Sequence, residues 1–150
     1  MPANRVEVMH GVNLDMLGRR DPEQYGNLTL PELEVAIGRF ARDLGLTTTF
    51  FHSNHEGEFV EHLHRLPDVA DAAIINAGAW THYSWAIHDA LEFSGVPAVE
   101  VHISDISARE DWRKVSVFDD LVIGKVFGRR LEGYREALEM IARELGAAGA

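Results

Sequence analysis

At 150 residues, with a formal net charge of -10 and no cysteine, the chain is long enough for one core that buries roughly 70% of the surface its unfolded form would expose. The acidic balance argues against non-specific binding to nucleic acid or to an anionic membrane, and the lack of cysteine removes disulfides, a thiol nucleophile and thiolate-held metals. No stretch approaches the roughly 20 apolar residues of a membrane span, and MPANRVEV lacks the apolar core of a secretory signal, so a cytoplasmic protein with small-molecule or self partners is expected.

Val6 to Met9 is short and β-prone, and Gly11 follows as the first residue able to turn the chain freely. Asn13 to Gly26, with Arg19, Arg20, an Asp-Pro step and Tyr25, reads as a non-helical, mobile, positively charged flap centred on residues 18–27. Thr29 with Glu32 three residues on, and Pro31, cap a helix whose apolar stripe is Leu33, Ile37, Phe40, Ala41 and Leu44, ended by Gly45. Leu46 to Phe51 is a β-branched and aromatic strand, with His52 to Gly57 as its exit loop. A helix from Glu58 to Arg65 is expected to stop before Pro67. The apolar run Asp71 to Asn76 is a central strand, followed by AGAWTHYS and a helix from Trp85 to Phe93. Pro97 to Ile103 is a further buried strand, Leu121 to Val126 a weaker one interrupted by Lys125, and Leu131 to Leu145 a final amphipathic helix with a Gly/Ala-rich tail, 146–150, expected to fray.

Strands alternating with helices imply a single α/β domain, a flavodoxin-like doubly wound sheet of five parallel strands, in which ligands bind beyond the carboxyl ends of the strands. His10 to Tyr25, His52 to Glu56, Asn76 to Ser84 and His102 to Arg113 all lie at strand exits and converge on one cleft. Among chemistries for that cleft, GVNLDMLG is neither GxGxxG nor a Walker loop, which disfavours a flavin or nucleotide. The histidines His52, His55, His62 and His64 lack HExxH spacing, so solvated polar residues are the better account than a metal. Ser84 with His82 has no nucleophile elbow, and capping the next helix is its expected role. Only Lys114 and Lys125 could form an imine with a carbonyl.

What remains is a tyrosine, arginines, a histidine and asparagines. A phenol holds its proton at neutral pH in water, whereas a neighbouring guanidinium stabilises the phenolate, making Tyr25 beside Arg20 a candidate base and His102 its acid partner. Glu100 shares a face with His102 on a regular strand and is placed to hold its ring, provided no bulge intervenes.

The segments HGVNLDMLGRRDPEQYG, SNHEGE, INAGAWTHYS, EVHIS and AREDWR follow, in order and over essentially the whole chain, the pattern NGPNLNxLGxREPxxYG, SNHEGE, INPGAxTHTS, EVHxSNxxAREpfR. In this the chain resembles the type II 3-dehydroquinate dehydratases. The resemblance implies a flavodoxin-like enzyme without cofactor or metal, a homo-oligomer built of trimers and commonly a dodecamer. Such enzymes remove water from 3-dehydroquinate through an enolate, without a Schiff base, giving 3-dehydroshikimate in the shikimate pathway or in quinate catabolism. By resemblance Tyr25 takes the proton, Arg20 stabilises its phenolate with Arg109 close by, and Asn13 holds the water that stabilises the enolate. His102, oriented by Glu100, protonates the departing hydroxyl. Asn76, Gly78, His82, Ile103, Ser104 and Arg113 hold the ring's hydroxyls and carboxylate, and Asp89 reaches a neighbouring subunit's site.

The chain departs from that pattern at His10, Val12, Tyr83, His88, Asp105 and Ser107, in KVSVFDD, and in GKVFGRR where the pattern is glycine-rich. These departures leave open a dehydratase for a related keto-cyclitol or ring acid, and a ligand-binding paralogue without activity. The intact Tyr25, Arg20 and His102 count against the latter.

Overall fold

Five short apolar and β-branched runs assemble into one parallel sheet, in a computed structural model that describes residues 3–149, with side chains through residue 146. The strands β1 (Arg5–His10), β2 (Thr47–His52), β3 (Ala72–Asn76), β4 (Ala98–His102) and β5 (Gly124–Phe127) lie in the order β2-β1-β3-β4-β5, the flavodoxin-like arrangement expected from the sequence. Every residue of β3 and β4 is buried, because helices cover both faces of a parallel sheet. Val6, Val8, Val99 and Val101 pack under helices α2 (Leu30–Asp43) and α5 (Arg130–Gly149) with Ile37, Tyr134, Leu138 and Ile141. Met9, Ala73 and Ile75 pack under α3 (Glu56–Val69) and α4 (Trp85–Ser94) with Phe59, Leu63, Ile87 and Leu91. Thr29 and Glu32 form the expected capping box of α2, and Ser84 caps α4 by accepting from the Ile87 N–H at 3.1 Å.

Four expectations need correction. The segment after β1 is partly helical: a 3-10 turn, Leu14–Met16, buries Leu14 beside Leu17 in the core, and Pro22–Tyr25 forms a one-turn helix, α1. The Asp-Pro step causes it, since Asp21 accepts from the Glu23 N–H at 3.0 Å and Pro22 needs no partner in the first turn. Helix α3 begins at Glu56 and runs through Pro67 to Val69. A proline this near the end forfeits one hydrogen bond, and burial of Leu63 and Leu66 compensates for it. Strand β5 is displaced to Gly124–Phe127, where Lys125 is tolerated at the sheet edge by its pairing with Asp119 at 2.8 Å. Helix α5 continues past Leu145 to Gly149, and residue 150 of the tail expected to fray lies outside the described residues.

Candidate active site

The exits of β1 and β3 cross with their backbones in contact. Gly11 donates its N–H to the Asn76 carbonyl at 2.7 Å, and a Cβ at Gly11 would lie 2.5 Å from the carbonyl of Ala77. At Gly78, with φ +61°, a Cβ would lie 2.6 Å from the Val12 oxygen. This crossing places Asn13 and Asn76 on one wall of a cavity of about 110 Å³ that Gly78, His82, His102, Ile103, Ser104, Arg20, Tyr25, Arg109 and Arg113 also line. Asn13 is left-handed, φ +70°, and its N–H donates to Asn54 Oδ1 at 2.8 Å, while Asn54 donates to Asp15 at 3.1 Å. Asn76 Oδ1 in turn accepts from the Gly78 N–H at 3.1 Å.

Tyr25, at the end of α1, lies beneath two cations. Arg20 Nη2 donates to its oxygen at 2.6 Å and Arg109 Nη1 at 2.7 Å, with the Arg20 guanidinium 3.7 Å above the ring centre. Two donors fill the lone pairs of a neutral phenol, an environment built for an oxygen that carries negative charge. Burial, opposed by Tyr25 and reinforced by the charges of Arg109 and Arg113, holds Arg20 below the usual arginine range, yet a guanidinium remains a cation at neutral pH. Arg109 also donates to Ser104 Oγ at 3.2 Å. Of the other tyrosines, Tyr83 is exposed, and Tyr134 is wholly buried under the sheet, where burial pushes its hydroxyl up to about 12.

Two histidines form the rest of the site. On β4, Glu100 and His102 share a face without a bulge, and His102 Nε2 lies 2.5 Å from Glu100 Oε2. The other carboxylate oxygen accepts from Ser116 Oγ at 2.7 Å. His82 stacks on His102 with ring centres 6.1 Å apart and donates Nδ1–H to the Val115 carbonyl at 2.6 Å. Burial lowers its pKa, helped by His102 and Arg113 and opposed by the Val115 hydrogen bond, so the imidazole is neutral at pH 7. Arg113 Nε is steadied by Glu110 at 2.9 Å.

Twelve of the thirteen residues named from the sequence thus meet at one place, with Glu100 behind His102 rather than in the wall. The exception is Asp89, which sits on the exposed side of α4 and accepts from His88 Nδ1 at 2.9 Å. The histidines raised as metal candidates disperse: His62 turns inward to Glu7 at 2.5 Å, His52 approaches Asp15 at 3.7 Å, and His55 is exposed at the start of α3. Neither lysine lines the cavity; Lys114 pairs with Asp111 at 3.1 Å and Lys125 with Asp119. The reading of the sequence missed Asn54, Asp15 and Ser116. SNHEGE flags the first, whereas the contact of Ser116 depends on tertiary packing.

The family description Dehydroquinase class II matches residues 4–142. A 3-dehydroquinate dehydratase of Pelobacter propionicus is 45% identical over 146 residues, covering 97% of this chain and 97% of that one. Among solved structures, type II dehydroquinases of Butyrivibrio crossotus (TM-score 0.89, 34% identity, 93% of this chain and 97% of that one) and Propionibacterium acnes (TM-score 0.88, 38% identity, 95% and 98%) share the whole architecture. A match of this extent shows that the chain belongs to the class II dehydroquinase family.

Proposed function

We propose that this chain is a hydro-lyase that removes water from 3-dehydroquinate to give 3-dehydroshikimate, in the shikimate pathway or in quinate catabolism. The observation that carries the reading is a phenol oxygen held by two guanidinium groups in the same small cavity as a carboxylate-backed histidine. The 45% identity to a 3-dehydroquinate dehydratase supports that substrate over a related ring acid.

In the proposed sequence the Tyr25 phenolate takes a proton from the carbon beside the ketone, and the electron pair moves onto the carbonyl oxygen as an enolate. Asn13, fixed by Asn54, holds the water that stabilises that oxygen. The enolate then collapses, the ring C–O bond breaks, and His102 delivers a proton so that water leaves. Tyr25 ends protonated and His102 deprotonated, and solvent resets both. Arg113, Ser104, Ile103, Asn76, Gly78 and His82 receive the ring's carboxylate and hydroxyls. Lys114 and Lys125 are paired away from the cavity, which supports a route without an imine.

Membership of the family implies a working form of at least a trimer, and a dodecamer is favoured; Asp89, exposed on α4, suits a role in a neighbour's site. Light scattering that found a fully active monomer would overturn this. The function itself is tested by adding 3-dehydroquinate to purified protein and following ultraviolet absorbance. A conjugated enone should accumulate, and no absorbance above the buffer control at any pH would refute the assignment.

A further inference from the structure

Resting on the reading of His102 as the acid, we propose that Ser116 is a positioning residue for the dehydration: its hydroxyl donates to Glu100, holds that carboxyl against His102 and so fixes which nitrogen of His102 carries the mobile proton. Ser116 lies in KVSVFDD, a stretch that departs from the family pattern, and it does not line the cavity.

The orientation of its hydroxyl follows from its partners. Phe118 donates its backbone N–H to Ser116 Oγ at 3.1 Å, so that oxygen is already an acceptor, and its own proton is directed to Glu100 Oε1 at 2.7 Å. His102 Nε2 occupies Oε2 at 2.5 Å. Glu100 is fully buried. A buried carboxylate is costly unless its oxygens have donors, and here Ser116 and His102 supply one each. Held from both sides, the carboxylate cannot turn away from Nε2. With Ser116 in place Glu100 only accepts, Nε2 keeps its hydrogen, and Nδ1 is the ring nitrogen left for the proton that the leaving hydroxyl takes.

The neighbouring residues of this segment act on the second histidine. A carbonyl can only accept, so the Val115 oxygen fixes the hydrogen of His82 on Nδ1 and leaves its Nε2 an acceptor. Val117 donates its N–H to the Thr81 carbonyl at 2.9 Å, locking the segment to the turn that bears His82. Two consecutive residues, Val115 and Ser116, therefore fix the tautomers of two stacked imidazoles in opposite senses, and Val117 anchors them.

The test is a double-mutant cycle with 3-dehydroquinate as substrate. Ser116→Ala should lower kcat by about tenfold or more, the scale of a lost hydrogen bond to a charge, with KM nearly unchanged. In the His102→Ala background it should do nothing further. Parental kcat in Ser116→Ala beside an inactive His102→Ala, or an equal loss in both backgrounds, would overturn the proposal. A His102→Ala variant with parental turnover would instead overturn the reading of the acid. A measurement on the parent keeps the proposal testable should Ser116→Ala fail to fold. Proton–nitrogen correlation spectra of ¹⁵N-histidine protein should show His102 protonated at Nε2 and neutral His82 at Nδ1. The reverse pattern at His102 would refute the assignment.

Discussion

Removing the Arg20 guanidinium tests the proposed base directly. Tyr25 oxygen receives one hydrogen bond from Arg20 at 2.6 Å and one from Arg109 at 2.7 Å. A hydrogen bond from a cation contributes about 1.5–3 kcal/mol, so Arg20→Ala should lower kcat at pH 7 roughly 10- to 100-fold. The rising limb of the pH-rate profile should move upward. Partial recovery at high pH is the diagnostic outcome, because a distorted fold gains nothing from added base. Tyr25→Phe lacks the proton acceptor altogether and should lose roughly 100-fold or more in kcat at every pH. Both profiles can be recorded by the enone absorbance. An unchanged profile for Arg20→Ala, or parental kcat in Tyr25→Phe, would place the base elsewhere.

Three further outcomes follow from the packing around the site. Burial alone would lower the pKa of His88, but the hydrogen bonds it donates to Asp89 and Asp120 outweigh it and raise it. That contribution to stability is therefore present below the unfolded value of about 6.5 and lost as pH rises through the higher folded value. Melting temperatures of His88→Gln and the parent should differ most in mild acid and converge in mild alkali, and a gap that widened with pH would contradict the sign. Gly11→Ala forces a methyl against the Ala77 backbone, which cannot swing aside, and should destabilise by about 1–3 kcal/mol or more in urea unfolding. A neutral result would mean that the crossing of the β1 and β3 exits is looser than the geometry requires. Arg130, at φ +49°, donates to the carbonyls of Pro22 and Glu23 at 3.3 and 2.9 Å, fastening α1 to the start of α5. Arg130→Gly relieves about 1–2 kcal/mol of backbone strain while freeing α1, so KM and tryptic cleavage at Arg19 and Arg20 should rise with little change in melting temperature. Unaltered cleavage would show that Arg130 does not hold the flap.

Legibility in the sequence tracked locality. The capping box of α2 and the pairing of Glu100 with His102 depend on residues three and two apart, and both were visible in the spacing. Convergence of the exits of β1, β3 and β4 was visible too, because a doubly wound sheet brings the carboxyl ends of its strands together, whereas the β2 exit reaches the cavity only through Asn54. What escaped was decided by distant partners. Helix α3 passes Pro67 because Leu63 and Leu66 are buried, β5 admits Lys125 because Asp119 receives it, and Ser116 finds Glu100 across a turn that no periodicity describes. The one-turn helix that carries Tyr25 is too short for an apolar pattern, and only Asp21 followed by Pro22 announced it.

The departures from the family pattern have a common property: most of them are matched outside the cavity. His10 turns to Glu34 at 3.2 Å and stacks on Phe50, away from the reacting groups. Asp105 is occupied by the N–H and hydroxyl of Ser107, closing its loop on itself. His88 lies between Asp89 and Asp120, the latter itself part of the altered KVSVFDD stretch, so a cation that titrates stands where the pattern has a permanent one. Tyr83 is exposed, and Arg130 acts on the backbone of α1. Only Val12 lines the cavity, and its carbonyl is already in contact with Gly78. Substituents on a ring substrate are discriminated by the groups that touch them, and those groups are the family's own. The altered residues therefore lie around the cavity, while its wall keeps Tyr25, His102, Arg20, Arg109 and Arg113, the groups to which the proposed proton transfers are assigned.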